Sequence, residues 1–344
     1  MEADMWLFVL AAIGLIPCAV VLGRATQAVA ARVGPLAAGL LEATLGNASE
    51  LILALAALRA GLVEVVKASL TGSIICNLLL VLGLSMIAGG KGRKRQTINR
   101  TVAGTHTTML VVAAVGLVIP GVFGRLQDMT VPAGSVMAVE MLSEWTAAVL
   151  IVIYAISLYY QLRFAGAPGP SFEPIPPTSK VGKRALPTTR PAPLAKPLMM
   201  MAGAILGISL LSEVLVRQLS GAQLAFHGSD LFWGGVVFAV IGNAAENAIA
   251  IGAARRNDMD LSMAIGVGSS LQIALLLAPA LVFISILMGH PMTLVFSGVE
   301  VVAVVLAVMI VAMIAADGET NWFEGAELLA VYAILAAAFY LVPR

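Results

Sequence analysis

Gly46-Asn47-Ala48-Ser49-Glu50 returns 196 residues later as Gly242-Asn243-Ala244-Ala245-Glu246, and both copies lie inside long apolar runs. The likeness extends past these five residues. Residues 39–80 set against 235–276 without gaps give 14 identities in 42, among them Ala54/Ala250, Arg59/Arg255, Gly72/Gly268 and Ser73/Ser269. Apolar helices coincide by chance, but a shared Gly-Asn-Ala-x-Glu followed by a shared Gly-Ser pair is not hydropathy noise. The chain therefore reads as two related halves.

What surrounds both copies decides the class. Of 344 residues, 60% are hydrophobic and 11% charged, and the mean hydropathy is +0.98. A soluble domain carries about 25% charged residues, so there is too little charge here to cover a water-facing surface. That excludes an ordinary soluble enzyme and a nucleic-acid binder, while the apolar content excludes disorder. Cys18 and Cys76 both sit in apolar runs, which leaves no disulfide framework and no zinc motif. A helix needs about 20 apolar residues to span a bilayer. Ten stretches qualify: 5–23, 36–60, 65–89, 102–123, 141–163, 198–219, 231–254, 260–288, 292–316 and 324–342. These runs are continuous rather than alternating, which argues against a β-barrel. Glu2 and Asp4 precede the first run in place of a basic segment, so it reads as a spanning helix and not a cleaved signal peptide. The expected fold is an all-α polytopic membrane protein with ten transmembrane helices.

Basic residues set the expected orientation. With the N-terminus outside, 15 of the 20 lysines and arginines fall on the inner side and 5 on the outer, as the cytoplasmic preference of positive charge requires. Both termini then lie outside, in the plasma (inner) membrane of a prokaryote. Residues 166–197 are rich in proline and basic residues, lack apolar periodicity, and read as a cytoplasmic linker. They separate a first five-helix repeat, 1–165, from a second, 198–344. An odd number of spans per half makes the second copy enter from the opposite side. This is the inverted-topology repeat of secondary transporters, whose sites lie near the midplane where broken helices meet.

Each half places a carboxylate inside an apolar span. A charge at the bilayer centre costs about 2.5–3.5 kcal/mol on the most lenient scale, so Glu50 and Glu246 are the first functional candidates. Asn47 and Asn243 stand three residues earlier, on the same helix face. The glycine heading each motif permits local unwinding, which frees backbone carbonyls as oxygen ligands. In the next span of each half, Ser73 with Asn77 and Ser269 with Gln272 are spaced to face the same site. Carboxylates, amides, hydroxyls and carbonyls together make the hard, oxygen-rich surroundings that Ca²⁺ takes with about 6–8 ligands. Glu42, eight residues before Glu50, and Glu213 are candidates for the ion pathway, whereas Glu213 and Glu300 lack an acidic partner at the repeat offset. His106 and His227 read as interfacial, and Asp317, Glu319 and Glu324 as a solvated turn.

At these residues the chain resembles the cation/proton exchanger (CAX) family of the Ca²⁺/cation antiporter superfamily. The first signature looks like Gly46–Ile52 continuing through Val65–Ile74, the second like Gly242–Glu246 with Gly268–Ala274, and a further similar stretch is Asp317–Gly325. The resemblance implies an antiporter of ten or eleven spans that expels Ca²⁺ or a related cation against incoming protons. It also implies Glu50 and Glu246 as shared ligands and proton acceptors, with no cofactor. Two positions depart from the family pattern: Asn247 stands where a histidine is usual, and Glu42 where an asparagine is usual. Both bear on selectivity and pH dependence rather than on fold.

Exchange follows from electrostatics. Two carboxylates in low dielectric cannot both stay ionised without a counter-charge. One Ca²⁺ neutralises the pair, and so do two protons. The empty, doubly charged site is then the state least able to pass through a closed, dehydrated conformation, which makes exchange obligatory. The same scaffold would also serve Na⁺/Ca²⁺ or monovalent cation/H⁺ exchange. A cation channel uses similar polar rings, and an intramembrane enzyme would need a nucleophile or metal signature that the sequence lacks.

Overall fold

Inside the second apolar stretch the helix stops at Gly46–Asn47, and its counterpart stops at Asn243. The computed structural model describes residues 2–33, 35–130, 136–164 and 194–342. The expected linker lies outside the described residues up to position 193. In the first half the elements are α1 (Glu2–Ala30), α2 (Pro35–Leu45), α3 (Ala48–Arg59), α4 (Val63–Ile75), a π-helical segment Cys76–Val81, α5 (Leu82–Gly90), β1 (Gln96–Thr97), α6 (Arg100–Thr130) and α7 (Val136–Phe164). The second half holds α8 (Ala195–Arg217), α9 (Leu219–Phe226), α10 (Asp230–Phe232), a π-helical segment Trp233–Phe238, α11 (Ala239–Gly242) and α12 (Ala244–Arg255). It continues with α13 (Met259–Gln272), a π-helical segment Ile273–Leu277, α14 (Ala278–Leu287), α15 (Gly298–Asp317), β2 (Glu319–Thr320) and α16 (Trp322–Leu341).

Taken singly, eight helices among the described residues are long and apolar enough to cross a membrane, or nine if the sharply bent pair Leu219–Phe226 and Asp230–Gly242 is one span. The sequence reading expects ten. The difference has a physical cause in the motif stretches. Both are interrupted at their asparagines, leaving α2 with 11 residues, α3 with 12 and α12 with 12. None of these reaches the roughly 20 residues that a bilayer requires of an unbroken helix. Polar or unwound backbone at that depth is tolerated only where protein or a water-filled cavity surrounds it.

Burial sorts the helices into layers. The window inside Val63–Gly90 is 83% buried and that inside Met259–Leu287 61%, whereas Met137–Gln161 and Trp322–Leu341 reach only 17%. The first two are therefore the central pair, and the last two face lipid. Leu78, Leu79 and Leu82 from one central span and Ile273, Leu275 and Leu281 from the other share the core. Large exposed apolar side chains such as Trp145, Met199 and Leu287 are what a lipid-facing surface presents. Glycines let the central helices touch: a Cβ on Gly72 would clash with the carbonyl oxygen of Gly235. At one end of the molecule β1 and β2 pair antiparallel, Gln96 opposite Thr320 and Thr97 opposite Glu319. Arg95 adds an ion pair to Glu319 at 2.7 Å.

Candidate ion-binding site

The interrupted helices present their asparagines to the other half of the molecule. Asn47 precedes α3 but makes no side-chain cap there. Its Nδ2 donates to Gln272 Oε1 (2.6 Å), and its Oδ1 accepts from Ser269 Oγ (2.9 Å). Asn243 does the same in the opposite sense. Its Nδ2 donates to Ser73 Oγ (2.9 Å) and to the Ala239 carbonyl (2.8 Å), and its Oδ1 accepts from Asn77 Nδ2 (3.1 Å). All six polar residues expected near the carboxylates are thus brought together, as two crossed clusters. Each motif asparagine is held by the serine and the amide of the other half. Each such bond contributes on the order of 1 kcal/mol, and leaving one partner buried and unmet costs about 1–3 kcal/mol.

The π-helical segments help to place these donors. Asn77 lies in the segment Cys76–Val81, and Gln272 immediately precedes Ile273–Leu277. A π-turn adds one residue to the helical turn and is frequent at functional sites.

The carboxylates sit differently. Glu50 is 5% exposed, and its Oε1 has no hydrogen-bond partner. It packs on the second motif, where a Cβ on Gly242 would lie 3.3 Å from Glu50 Cγ. Glu246 is half-buried, and its Oε2 also lacks a partner. A cavity of about 170 Å³ reaches Glu246, with Glu42, Gly46, Ser49, Ser269 and Gln272 in its wall. Glu50 is not part of that wall. Among the described residues no three acidic, histidine or cysteine side chains are grouped as a metal cluster. A cation held here would draw on two carboxylates, amide and hydroxyl oxygens, the last carbonyls of the interrupted helices and water.

The remaining candidates separate. Glu42 lines the cavity beside Glu246. Glu213 is exposed on α8, pairs with Arg217 at 2.8 Å, and is absent from the cavity wall. Asn247 has a buried Oδ1 without a partner and approaches the Cys76 thiol, which is also within reach of Tyr332. Glu300 is buried at the start of α15, where its carboxylate accepts from Thr71 Oγ1 (2.7 Å) and from the Ser297 backbone N–H (2.9 Å), closing a capping box.

Part of the cavity wall escaped sequence reasoning. Tyr154, Ser157 and Gln161 on α7, Thr26 and Gln27 on α1, and His106 on α6 all line it. None belongs to the repeated motif. The signal for the α7 residues is the spacing 154, 157, 161, a polar stripe at helical period on an otherwise lipid-facing helix.

The comparisons with known proteins bear on this geometry. The profile of the sodium/calcium exchanger protein family matches residues 4–163 and 196–341. The chain belongs to the sodium/calcium exchanger protein family. A Ca(2+)/H(+) antiporter of Synechocystis is 40% identical over 346 residues, covering 98% of this chain and 91% of that protein. The Ca(2+)/H(+) antiporter ChaA of Bacillus subtilis is 40% identical over 344 residues, with 98% and 92% covered. The solved structure of native YfkE superposes with a TM-score of 0.80 at 38% identity, covering 97% of this chain and 92% of that one. A member of this exchanger family is a transporter and not an enzyme, and the chain is a multi-pass membrane protein.

Proposed function

We propose that this exchanger moves Ca²⁺ against protons by alternating access, with Glu50 and Glu246 as the shared site. The observation that carries the reading is one carboxylate from each half, Glu50 buried and Glu246 half-buried, each with an unpartnered oxygen and framed by the crossed asparagine clusters. The names of the relatives point to the same two ions. Asn47, Asn243, Ser73, Ser269, Asn77 and Gln272 hold the interrupted helices in register and supply oxygens next to the carboxylates. Glu42 stands in the vestibule and meets the ion before Glu246 does.

The architecture follows the same reading. Joined across their breaks, α2 with α3 and α10–α11 with α12 each make one interrupted span, which brings the eight unbroken spans to ten. Element bounds recur about 196 residues apart, α3 with α12, α4 with α13 and α5 with α14, as two inverted repeats require. The cavity is walled by the C-terminal ends of α1 and α7 and the N-terminal part of α6. With the N-terminus outside, that end faces the cytoplasm, so the vestibule opens inward and Ca²⁺ enters from the cell interior. The linker then lies on the same side.

Sealed vesicles loaded with a Ca²⁺ indicator, with pH and Na⁺ gradients imposed separately, test the proposal. Ca²⁺ flux should follow the pH gradient in the absence of Na⁺. Flux that follows only the Na⁺ gradient, or that ignores both, would overturn it.

A further inference from the structure

An open groove of about 500 Å³ lies where α5 ends and α16 begins, walled by Ile87, Gly90, Lys91, Arg93, Lys94 and Trp322. We propose that this groove binds the phosphate headgroup of an anionic phospholipid such as phosphatidylglycerol.

Depth is the first argument. The spans Val63–Gly90 and Trp322–Leu341 end and begin at the groove, which puts it at the level where hydrocarbon gives way to headgroups. Trp322 and Phe323, 54% and 57% exposed, are the aromatic residues that favour this layer.

Charge is the second. Lys91, Arg93 and Lys94 are exposed, and the wall holds three cations and no carboxylate. The neighbouring Arg95 is already paired with Glu319. Arg93 gives one Nη1 donor to the Gly89 carbonyl at 2.5 Å, leaving the rest of its five-donor fork for a phosphate.

Shape is the third. A Cβ on Gly90 would lie 2.9 Å from Trp322 Cβ, so glycine there lets the indole close one side of the groove. Gly92 has φ +78°, a conformation that glycine adopts freely. It turns the chain so that the cations on either side of it wall one groove. Below the charged turn, Leu84 is exposed and Ile87 half-buried, three residues apart on α5, offering an apolar track for an acyl chain.

The purified full chain in detergent, titrated with phosphatidylglycerol or phosphatidylcholine and followed by native mass spectrometry and thermal unfolding, tests the assignment. Phosphatidylglycerol should bind at least about tenfold more tightly and raise the unfolding temperature. Near a membrane each basic residue contributes about 1 kcal/mol to anionic-lipid attraction. Lys91→Gln/Arg93→Gln/Lys94→Gln should therefore weaken binding roughly 100-fold, and Lys94→Gln alone roughly fivefold. Lys91→Arg/Lys94→Arg, which keeps the charge, should retain the preference. An unfolding temperature equal to wild type in phosphatidylcholine shows that the triple variant is folded; if it is not, the single variant carries the test. Equal binding of the two lipids by wild type would overturn the proposal, as would an undiminished preference in the variants. So would millimolar inorganic phosphate reproducing the full stabilisation, because the groove would then take a soluble anion.

Discussion

Glu50 and Glu246 carry the same motif into different surroundings. Glu50 is packed away from the cavity, whereas Glu246 stands in its wall. The glycines of the following helices repeat the contrast. Gly72 is pressed against the backbone of Gly235, while Gly268, its equivalent in the second half, has nothing within 4 Å of where a Cβ would be. Gly235 itself matches Gly39 at the repeat offset. The lesson is that two like halves, fitted together with one vestibule open, cannot both be closed. Under the proposed alternating access, the half that is sealed in this conformation is the half that opens in the other. On this reading Gly268 is a glycine for the sake of a conformation in which the first half packs on it as Gly235 packs on Gly72.

The largest expected effect abolishes the comparison altogether. Glu50→Gln and Glu246→Gln keep the volume and remove both the charge and the titrating proton. If each forfeits charge-assisted interactions of about 3 kcal/mol with the ion, each should lower coupled exchange by roughly 100-fold or more, while the protein still inserts. Near-normal Ca²⁺/H⁺ exchange in either variant would remove that residue from the shared site.

The glycines separate the two halves next. Gly72→Ala forces a methyl into the Gly235 backbone, an overpacking cost of about 1–3 kcal/mol to the conformation seen here. It should push the population toward the opposite state. Gly268→Ala meets no neighbour here and should leave this conformation intact, while disfavouring a conformation that packs on it. Both should slow turnover about tenfold, but cysteine accessibility of the vestibule from the cytoplasmic side should fall in the first and rise in the second. Parallel changes in accessibility would break the argument from asymmetry.

Glu42 sharpens the comparison on the open side alone. Glu42→Gln should raise the apparent KM for Ca²⁺ several-fold with kcat nearly kept, because the ion still reaches Glu246 but is no longer drawn toward it. Unchanged kinetics with unchanged thermal stability would deny Glu42 a place in the pathway. The smallest effect concerns Asn247→His. An imidazole there gains a positive charge on acidification and then opposes a cation at the adjacent Glu246. Ca²⁺ affinity should fall more steeply on acidification than in wild type and match it at alkaline pH. Superimposable pH profiles would mean that position 247 only packs.

Much of this arrangement is legible in the sequence. The 196-residue echo of Gly-Asn-Ala-x-Glu points to two related halves because polar and acidic residues in apolar helices are costly and do not recur in one pattern by accident. Hydropathy locates the spans because the bilayer demands length. Hydropathy does not show that Asn47 and Asn243 interrupt their spans into pieces too short to count, since breaking a helix leaves its composition unchanged. Nor could spacing show that Ser73 and Asn77 serve Asn243 rather than Asn47. Helical period fixes which residues share a face, while the partner across that face is chosen by packing between halves. The Tyr154, Ser157 and Gln161 stripe was hidden for a related reason: it has no counterpart motif, and α7 otherwise reads as lipid-facing.

The central claim is that one pair of carboxylates serves Ca²⁺ and protons in turn, and proton release measures it directly. Purified protein in detergent, in weakly buffered solution at a set starting pH, is titrated with Ca²⁺ while the pH is recorded. Ca²⁺ binding to the wild type should release protons, and Glu50→Gln/Glu246→Gln should release none. Ca²⁺ binding by the wild type without proton release, or release that persists in the double variant, would contradict the shared site.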